Sequence, residues 1–154
     1  MWPYCDLSNI PVFRIFVVTH EHMSTWMHGH MKQPIFPPDA AKPLAPYTPA
    51  IASGGMVFLS GQIALDEKGN LHTSDITTET RRVMENIGIL LKAAGLGYEH
   101  LVKVTIFLSD MAHYAAVNEV YGTYFSDVPP AREAVAVKGL PRGVNVEISG
   151  IAMR

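Results

Sequence analysis

The sequence predicts an α+β fold in which two helices cover one face of a mixed β-sheet. Alternating apolar and polar residues, the pattern of strands, occur over residues 51–63, 101–108 and 131–153. The segments 76–94 and 112–125 instead repeat apolar residues with helical spacing. The resulting order, strand–strand–helix–strand–helix–strand–strand, contains two strand–helix–strand crossovers. Right-handed crossovers place both helices on the same face.

The composition is that of one soluble globular domain. The 154 residues are 48% hydrophobic and 17% charged, which is enough apolar material for a single core. A net charge of −2 argues against nucleic acid as a partner, because such binding relies on clustered Lys and Arg. The single cysteine, Cys5, fits a reducing compartment and a cytoplasmic location. No apolar run approaches the roughly 18 residues of a membrane helix, so we expect no membrane association.

Residues 1–33 differ from the rest of the chain. An apolar run within them lacks the basic region and the cleavage site of a signal peptide, and Met23, Met27 and Met31 offer alternative starts. We expect an extension that is disordered or translated from too early a start, followed by a single domain over residues 34–154. A mobile polar tail is preferred to a metal site here, and no metal or cofactor is predicted. The residues with metal-ligand chemistry are His20, Glu21, His22, His28 and His30.

Residues 34–49 are predicted to form an ordered but irregular lead-in, because they hold six prolines and no clear period. Tyr47 lies within this segment. Two interpretations are open for it: a half-buried aromatic whose hydroxyl has a partner, or part of a pocket wall.

The first two strands are predicted to pair over residues 51–63, with Gly54-Gly55 at a tight turn. The run Ser60-Gly61-Gln62 is unusual for a core strand. Its glycine indicates close approach of another backbone, and its polar neighbours indicate a pocket wall.

The first helix is predicted over residues 76–94. Asp75 suits the N-cap, Glu79 complements the helix dipole, and Gly95 ends the helix. In the second helix, Asn118 lies off the apolar stripe, where it either makes a polar contact or is solvated.

The C-terminal segment carries the residues on which the functional prediction depends. Residues 130–137 and 144–148 alternate in polarity around a Gly/Pro-bearing turn, which predicts a β-hairpin. Arg132 on the first arm has the side chain best suited to hold a carboxylate. Glu147 on the second arm could order a water molecule or move a proton. The alternative is an ion pair between neighbouring strands at the rim.

One face of the predicted sheet has no covering element. Its apolar residues are Phe58, Phe107, Ile151 and Met153. An apolar face of this kind implies a partner subunit. Alternation also places Ser60, Gln62 and Glu147 on this face, so we expect a functional site near a subunit boundary.

Residues 33–153 resemble the RidA/YjgF family of reactive-intermediate deaminases, because they contain four motifs of that family in the same order. The motifs are Ser60-Gly61-Gln62, Asn118-Glu119-Val120-Tyr121, Pro130-Ala131-Arg132 and Val146-Glu147-Ile148. The resemblance implies a chorismate-mutase-like fold, a homotrimer, and sites in the clefts between subunits. It also implies hydrolysis of enamines and imines such as 2-aminoacrylate to 2-keto acids and ammonia, without metal or organic cofactor.

The resemblance also implies roles for individual residues. Arg132 matches the arginine that grips the substrate carboxylate, and Glu147 matches the glutamate that holds the attacking water. Tyr47 and Ser60 match pocket-lining positions, and Asn118 matches the family's helix asparagine.

Two positions depart from the family pattern. Glu133 stands where a small residue is usual, and Ala134 stands where cysteine is common, although a backbone group can serve at the second position. If Glu133 turned towards Arg132, it would neutralise the anion clamp. Alternation directs Glu133 to the opposite face, where its charge needs a bulge or a partner cation.

Three other functions stay open. A deaminase of the 2-aminomuconate type would explain Glu133 as a specificity residue. A nonenzymatic trimer that binds small metabolites or acts as a chaperone is the second. Endoribonuclease activity is the third, and the acidic composition argues against it.

Overall fold

The computed structural model of the protein describes residues 32–154. Within them the chain forms six strands and two α-helices, which confirms the α+β class. The strands are β1 (Gln33–Ile35), β2 (Ala50–Ser53), β3 (Met56–Gln62), β4 (Leu101–Leu108), β5 (Ala131–Ala136) and β6 (Val146–Met153). The helices are α1 (Ile76–Ala93) and α2 (Tyr114–Gly122). The expected extension and its histidines fall almost entirely outside these residues, so that expectation stays a prediction.

The strands form one mixed sheet in the order β1-β2-β3-β6-β4-β5. Every neighbouring pair is antiparallel except β4 and β5, which are parallel. The larger of two hydrophobic clusters joins both helices to one face of this sheet, as predicted, and the smaller one forms around Ile63, Leu65 and Val144. The short edge strand β1 lies where the sequence predicts an irregular lead-in, and its Pro34 is tolerated because edge strands leave some N–H positions unpaired.

The predicted hairpin over residues 130–148 is wrong. Strand β5 pairs in parallel with β4, and β6 lies on the other side of β4, between it and β3. The connection contains a 3₁₀ turn, Pro141–Gly143, in which Arg142 has φ 59°. This longer connection carries the chain past β4, whereas a hairpin needs only a tight turn. Alternating polarity identifies a strand but not its partner.

Helix α1 begins where predicted and ends within one residue of the predicted end. The Asp75 carboxylate accepts a hydrogen bond from the Thr78 N–H at 2.8 Å, which caps the first turn. Gly95 follows the helix with φ 75°, a left-handed conformation that glycine adopts without steric cost. Local sequence signals therefore set both ends of this helix.

Glu79 of α1 has a role that its position in the first turn does not reveal. Its side chain is 0% exposed. One carboxylate oxygen accepts the backbone N–H groups of Asn145 at 2.5 Å and Val146 at 3.0 Å, and the other accepts the Asn145 side-chain amide at 3.1 Å. These donors make a buried carboxylate tolerable. They also fix the start of β6 against α1.

Helix α2 is shorter than predicted. A 3₁₀ turn at Met111–His113 precedes it, with the Ala112 N–H donating to the Asp110 carboxylate at 2.8 Å. The helix ends at Gly122, although the apolar stripe continues beyond it. Glycine is a weak helix former, which favours an end there.

Within residues 32–154, no element covers the sheet face away from the helices. Phe58 and Met153 on that face are 41% and 51% exposed. The predicted uncovered apolar face is therefore present. In residues 32–154 there is no helix long and apolar enough to cross a membrane. The same part of the chain contains no cluster of three or more His, Cys, Asp or Glu side chains suited to a metal ion.

Candidate active site

A cavity of about 360 Å³ lies between the lead-in segment and the neighbouring strands β3 and β6. Three of the predicted site residues, Tyr47, Ser60 and Glu147, line it. We call this space the Glu147 cavity. It brings together one half of the site predicted from the sequence.

A bulge in β3 places the Glu147 side chain against Gly61. The register between β3 and β6 shifts between Leu59 and Gln62, within the Ser60-Gly61-Gln62 run. A Cβ atom on Gly61 would overlap the Glu147 carboxylate. The predicted close approach is therefore present, but the group that approaches is a side chain and not a backbone.

Ser60 joins the bulge to the segment that carries Tyr47. Its hydroxyl donates to the Thr48 carbonyl at 2.7 Å, and its N–H donates to the Pro49 carbonyl at 3.0 Å. These two bonds fix the lead-in over the edge of the cavity. Ser60 thus positions the cavity wall in addition to lining it.

The Glu147 carboxyl is partly removed from solvent. Burial raises the pKa of its carboxyl above the ordinary value for glutamate. No hydrogen bond from residues 32–154 offsets that desolvation. A carboxylate in this state binds a proton more readily near neutral pH than an exposed one does.

Arg132 is held by three residues of helix α2. Its guanidinium donates to the Asn118 side-chain oxygen at 2.7 Å and to the Tyr114 hydroxyl at 3.3 Å. It also lies over the Tyr121 ring, 4.9 Å from the centroid, and 5.8 Å from that of Tyr114. All three partners are neutral, so the positive charge is oriented without being compensated by them. Of the two interpretations of Asn118, the polar contact is correct.

Arg132 and Glu147 lie on opposite faces of the sheet. Arg132 is opposite Val104 in β4, which is buried beneath the helices. Glu147 is opposite Phe107, three residues further along β4 and therefore on the other face. One chain does not bring the two predicted catalytic side chains together. The alternative ion pair between them is also wrong.

Glu133 does not neutralise the guanidinium. It points to the open face, where its carboxylate accepts hydrogen bonds from the Lys103 ammonium and the Thr105 hydroxyl of β4. These donors hold the pKa of Glu133 below its ordinary value. Lys103 is the partner cation that alternation required. Ala134 faces the helices with Arg132 and packs at the edge of the core.

Sequence reasoning missed two contributions to the site. Tyr114 and Tyr121 were assigned no role in the site, although their spacing from Asn118 places all three on one helix face. Asn86 was also missed. Its buried amide donates to the Ile63 and Leu65 carbonyls, each at 2.9 Å, and forms part of the Glu147 cavity wall.

Comparison with known proteins identifies the family to which this chain belongs. The family model described as Endoribonuclease L-PSP matches residues 38–154. Because this match covers most of the chain, the protein belongs to the L-PSP family. The predicted resemblance to RidA/YjgF proteins is confirmed at this level.

Individual relatives cover nearly the same part of the chain. A RutC family protein of Pyrococcus horikoshii is 46% identical over 125 residues, which are 80% of this chain and 99% of the relative. The 2-iminobutanoate/2-iminopropanoate deaminase of Mus musculus is 40% identical over 112 residues, covering 72% of this chain and 83% of that protein. The crystal structure of RidA from Psychrobacter sp. PAMC 21119 is 34% identical, with a TM-score of 0.76 over 79% of this chain and 99% of its own.

Proposed function

We propose that the protein hydrolyses reactive enamines and imines of the 2-aminoacrylate type to 2-keto acids and ammonia. The observation that carries the proposal is the Arg132 guanidinium, which neutral side chains hold in place without compensating its charge, so that it suits an anionic ligand. A desolvated carboxylate, Glu147, lines a cavity on the same chain. The deaminase name of the mouse relative supports this assignment.

The complete site would form between two copies of the chain. A small imino acid cannot touch both Arg132 and Glu147 of one copy, because the sheet separates them. In a ring of three copies, each chain would offer its arginine to one neighbour and its cavity to the other. Such a ring closes on itself and would cover apolar side chains on the open face, including Phe58 and Met153.

The chemistry follows from the two charged groups. Arg132 would hold the substrate carboxylate through paired hydrogen bonds. The imine carbon C2 is already electrophilic, so water can add without a covalent nucleophile. Oriented water and a fixed substrate then supply most of the catalytic advantage. Tyr47 and Ser60 would complete the wall beside C2.

Glu147 would transfer the protons. Water adds across the C=N bond: its oxygen bonds to C2, and one of its protons passes through Glu147 to the nitrogen, giving a carbinolamine. A second proton then passes from the new hydroxyl to the nitrogen. The C–N bond breaks, ammonia leaves, and C2 retains oxygen as the keto group. An enamine first takes a proton on its terminal carbon and loses one from nitrogen. The raised pKa of Glu147 suits both directions of transfer.

A coupled assay tests the activity. An amino-acid oxidase generates imines from several amino acids, semicarbazide traps the imine that survives, and the protein should lower semicarbazone formation. Arg132→Ala should reduce this effect by roughly 100-fold or more, because a charge-assisted anion contact is lost. Arg81→Ala removes an exposed arginine of α1 and is the matched control, expected to retain full activity. Lack of acceleration with every imine would overturn the proposal.

Mixed oligomers test the site between subunits. Arg132→Ala and Glu147→Gln should each be inactive alone, because each removes one half of every site. When the two variants are unfolded together and reassembled at equal amounts, about a quarter of the sites should combine an intact arginine with an intact glutamate. Recovery of activity supports the shared site. A site within one chain would give no recovery, and light scattering would show whether trimers form.

RNA cleavage is a second candidate, favoured by the description of the matching family model. The net charge of −2 gives little attraction to phosphates. If the protein cleaves RNA at this site, Arg132→Ala should remove that activity together with deamination.

A further inference from the structure

Strand β5 has few side chains that could hold it in the sheet. Among the strands that the structure describes, it lies at the edge and pairs in parallel with β4 alone. Parallel pairs are slightly less stable per residue than antiparallel ones. Four of its six residues are small or exposed and apolar, namely Ala131, Ala134, Val135 and Ala136. The side chains left to fix the position of β5 are therefore those of Arg132 and Glu133.

These two neighbouring residues anchor β5 on opposite faces of the sheet. On one face, the Arg132 side chain contacts helix α2. On the other face, the Glu133 carboxylate accepts hydrogen bonds from the Lys103 ammonium and the Thr105 hydroxyl of β4. In the register of the two strands, Thr105 is directly opposite Glu133. Glu133 therefore ties to β4 the segment of backbone from which the guanidinium extends.

The charged pair lies among apolar side chains. Ile151 is opposite Lys103 in β6, and Phe107 and Val135 follow along β4 and β5 on the same face. The side chains of Lys103 and Glu133 are 40% and 45% exposed, so water reaches only part of each. Opposite charges on neighbouring strands stabilise their pairing, and partial burial reduces screening by salt. The pair is thus suited to hold the edge strand in register.

We propose that Glu133 is a positioning residue for the Arg132 anion clamp, a role that rests on the proposed deaminase function. Its bonds to Lys103 and Thr105 hold β5 in place, so that the guanidinium keeps the position from which it binds the substrate carboxylate. The contacts of Arg132 with α2 fix the end of its side chain but not its backbone. A displacement of about 1 Å at a binding group can weaken its function severely. The residue that departs from the family pattern therefore supports the clamp.

Removal of the Glu133 carboxylate tests this role. In Glu133→Ala, we expect KM for the imine and Kd for pyruvate, a 2-keto acid product, each to rise about three- to tenfold with little change in kcat. Calorimetry gives Kd without turnover. Glu85→Ala removes an exposed carboxylate that lies 3.6 Å from Arg82 in α1, and it should change neither constant. Unchanged KM and Kd in Glu133→Ala would overturn the inference. A fall in kcat and Tm at constant KM would indicate a merely structural role and would also overturn it.

Exchange of the two charges gives a second test. Lys103→Glu alone places two carboxylates together and should raise KM and Kd at least as much as Glu133→Ala. The double variant Lys103→Glu/Glu133→Lys restores an ion pair and should return both constants to within about twofold of the parent values. A double variant as impaired as Glu133→Ala would contradict the inference.

The two measurements separate this inference from the proposed function. If the parent protein binds pyruvate but hydrolyses no imine, the deaminase function is wrong, and the Kd values alone decide the role of Glu133. If the parent protein hydrolyses imines but its KM and Kd do not depend on Glu133, the inference is wrong and the deaminase function stands. A parent protein that neither binds pyruvate nor hydrolyses an imine would overturn both.

Discussion

Arg132 and Glu147 lie on the two strands that flank β4, with their side chains on opposite faces of the sheet. The two residues that the sequence analysis predicts to form one site are therefore separated by the sheet within one chain. Each chain holds both the Arg132 guanidinium, the proposed anion clamp, and the Glu147 cavity, but not in the same place. The effects of substitutions should accordingly divide into those that alter the clamp and those that alter the cavity.

Gly61→Ala should damage the cavity. The added Cβ would overlap the Glu147 carboxylate and displace it, so we expect a loss of about 1–3 kcal/mol in the free energy of unfolding and a large fall in kcat. Urea unfolding and the trapping assay measure the two effects. Gly139→Ala is the matched control, because a Cβ there meets no atom within 4 Å. Full activity in Gly61→Ala would show that the Glu147 position is not critical.

The pH dependence should report on Glu147. Because burial raises the pKa of this carboxyl, kcat/KM should fall with decreasing pH at a value above the ordinary glutamate pKa of about 4.3. Glu147→Gln should lower activity by about 100-fold or more and remove this limb of the profile. If Glu147→Gln showed the same fall of kcat/KM with decreasing pH, another group would be responsible for it.

Ionisation of Glu147 should raise activity but lower the stability of the folded protein. A carboxyl whose pKa is raised on folding destabilises the folded protein above that pKa, and the penalty disappears as the pH falls below the unfolded-state value. Glu147→Gln should therefore have a higher Tm than the parent at about pH 7 and the same Tm near pH 4. A lower Tm at neutral pH would mean that the ionised carboxylate has a stabilising partner in the assembled protein.

Tyr114→Phe should weaken the clamp and leave proton transfer unaffected. The change removes the hydroxyl that lies 3.3 Å from the Arg132 guanidinium but keeps the ring beside it. We expect KM to rise roughly three- to tenfold with little change in kcat. The effect is moderate because the lost hydrogen bond is long and the other contacts of the Arg132 guanidinium remain. Tyr98→Phe, which removes a hydroxyl bonded to the Met84 carbonyl away from Arg132, is the control. A fall in kcat with constant KM in Tyr114→Phe would contradict a clamp role.

Glu79→Gln should destabilise the start of β6. The replacement exchanges one acceptor oxygen for an NH₂ group facing N–H donors in a fully buried position. We expect a loss of about 1–3 kcal/mol in the free energy of unfolding, measured by urea titration. Glu85→Gln, an exposed position on the same helix, should change it by less than about 0.5 kcal/mol. Equal losses of stability in the two variants would show that Glu79 does not stabilise the start of β6.

Local signals predicted local structure well. Asp75 and Gly95 set the ends of α1 as predicted. The Ser60-Gly61-Gln62 run predicted a pocket wall and a close approach at Gly61, although the approaching group is the Glu147 side chain and not a backbone. These predictions succeed because each depends on a few adjacent residues. The residue types at positions 132 and 147 likewise predict the chemistry of the candidate site, and this assignment stays a prediction.

Longer-range relationships were harder to predict. The hairpin was wrong because alternation in β5 and β6 is equally compatible with pairing to each other or to β4. The partner of Glu133, Lys103, lies 30 residues earlier and faces it only because β4 and β5 are parallel. Tyr114 contacts Arg132 because helix α2 connects the parallel strands β4 and β5. In each case the sequence specifies the side chain, and strand order decides what it contacts.

Among the strands that the structure describes, β5, which carries Arg132, lies at the edge of the sheet and pairs with β4 alone. Arg132 thus belongs to an edge strand, whereas Glu147 belongs to β6, which pairs with a strand on each side. Substitutions that change the shape of the Glu147 cavity need not disturb the contacts of Arg132, and substitutions around Arg132 need not change the cavity. Under the proposed function, substitutions in the cavity can therefore alter what it accepts and leave the contact between Arg132 and the substrate anion unchanged.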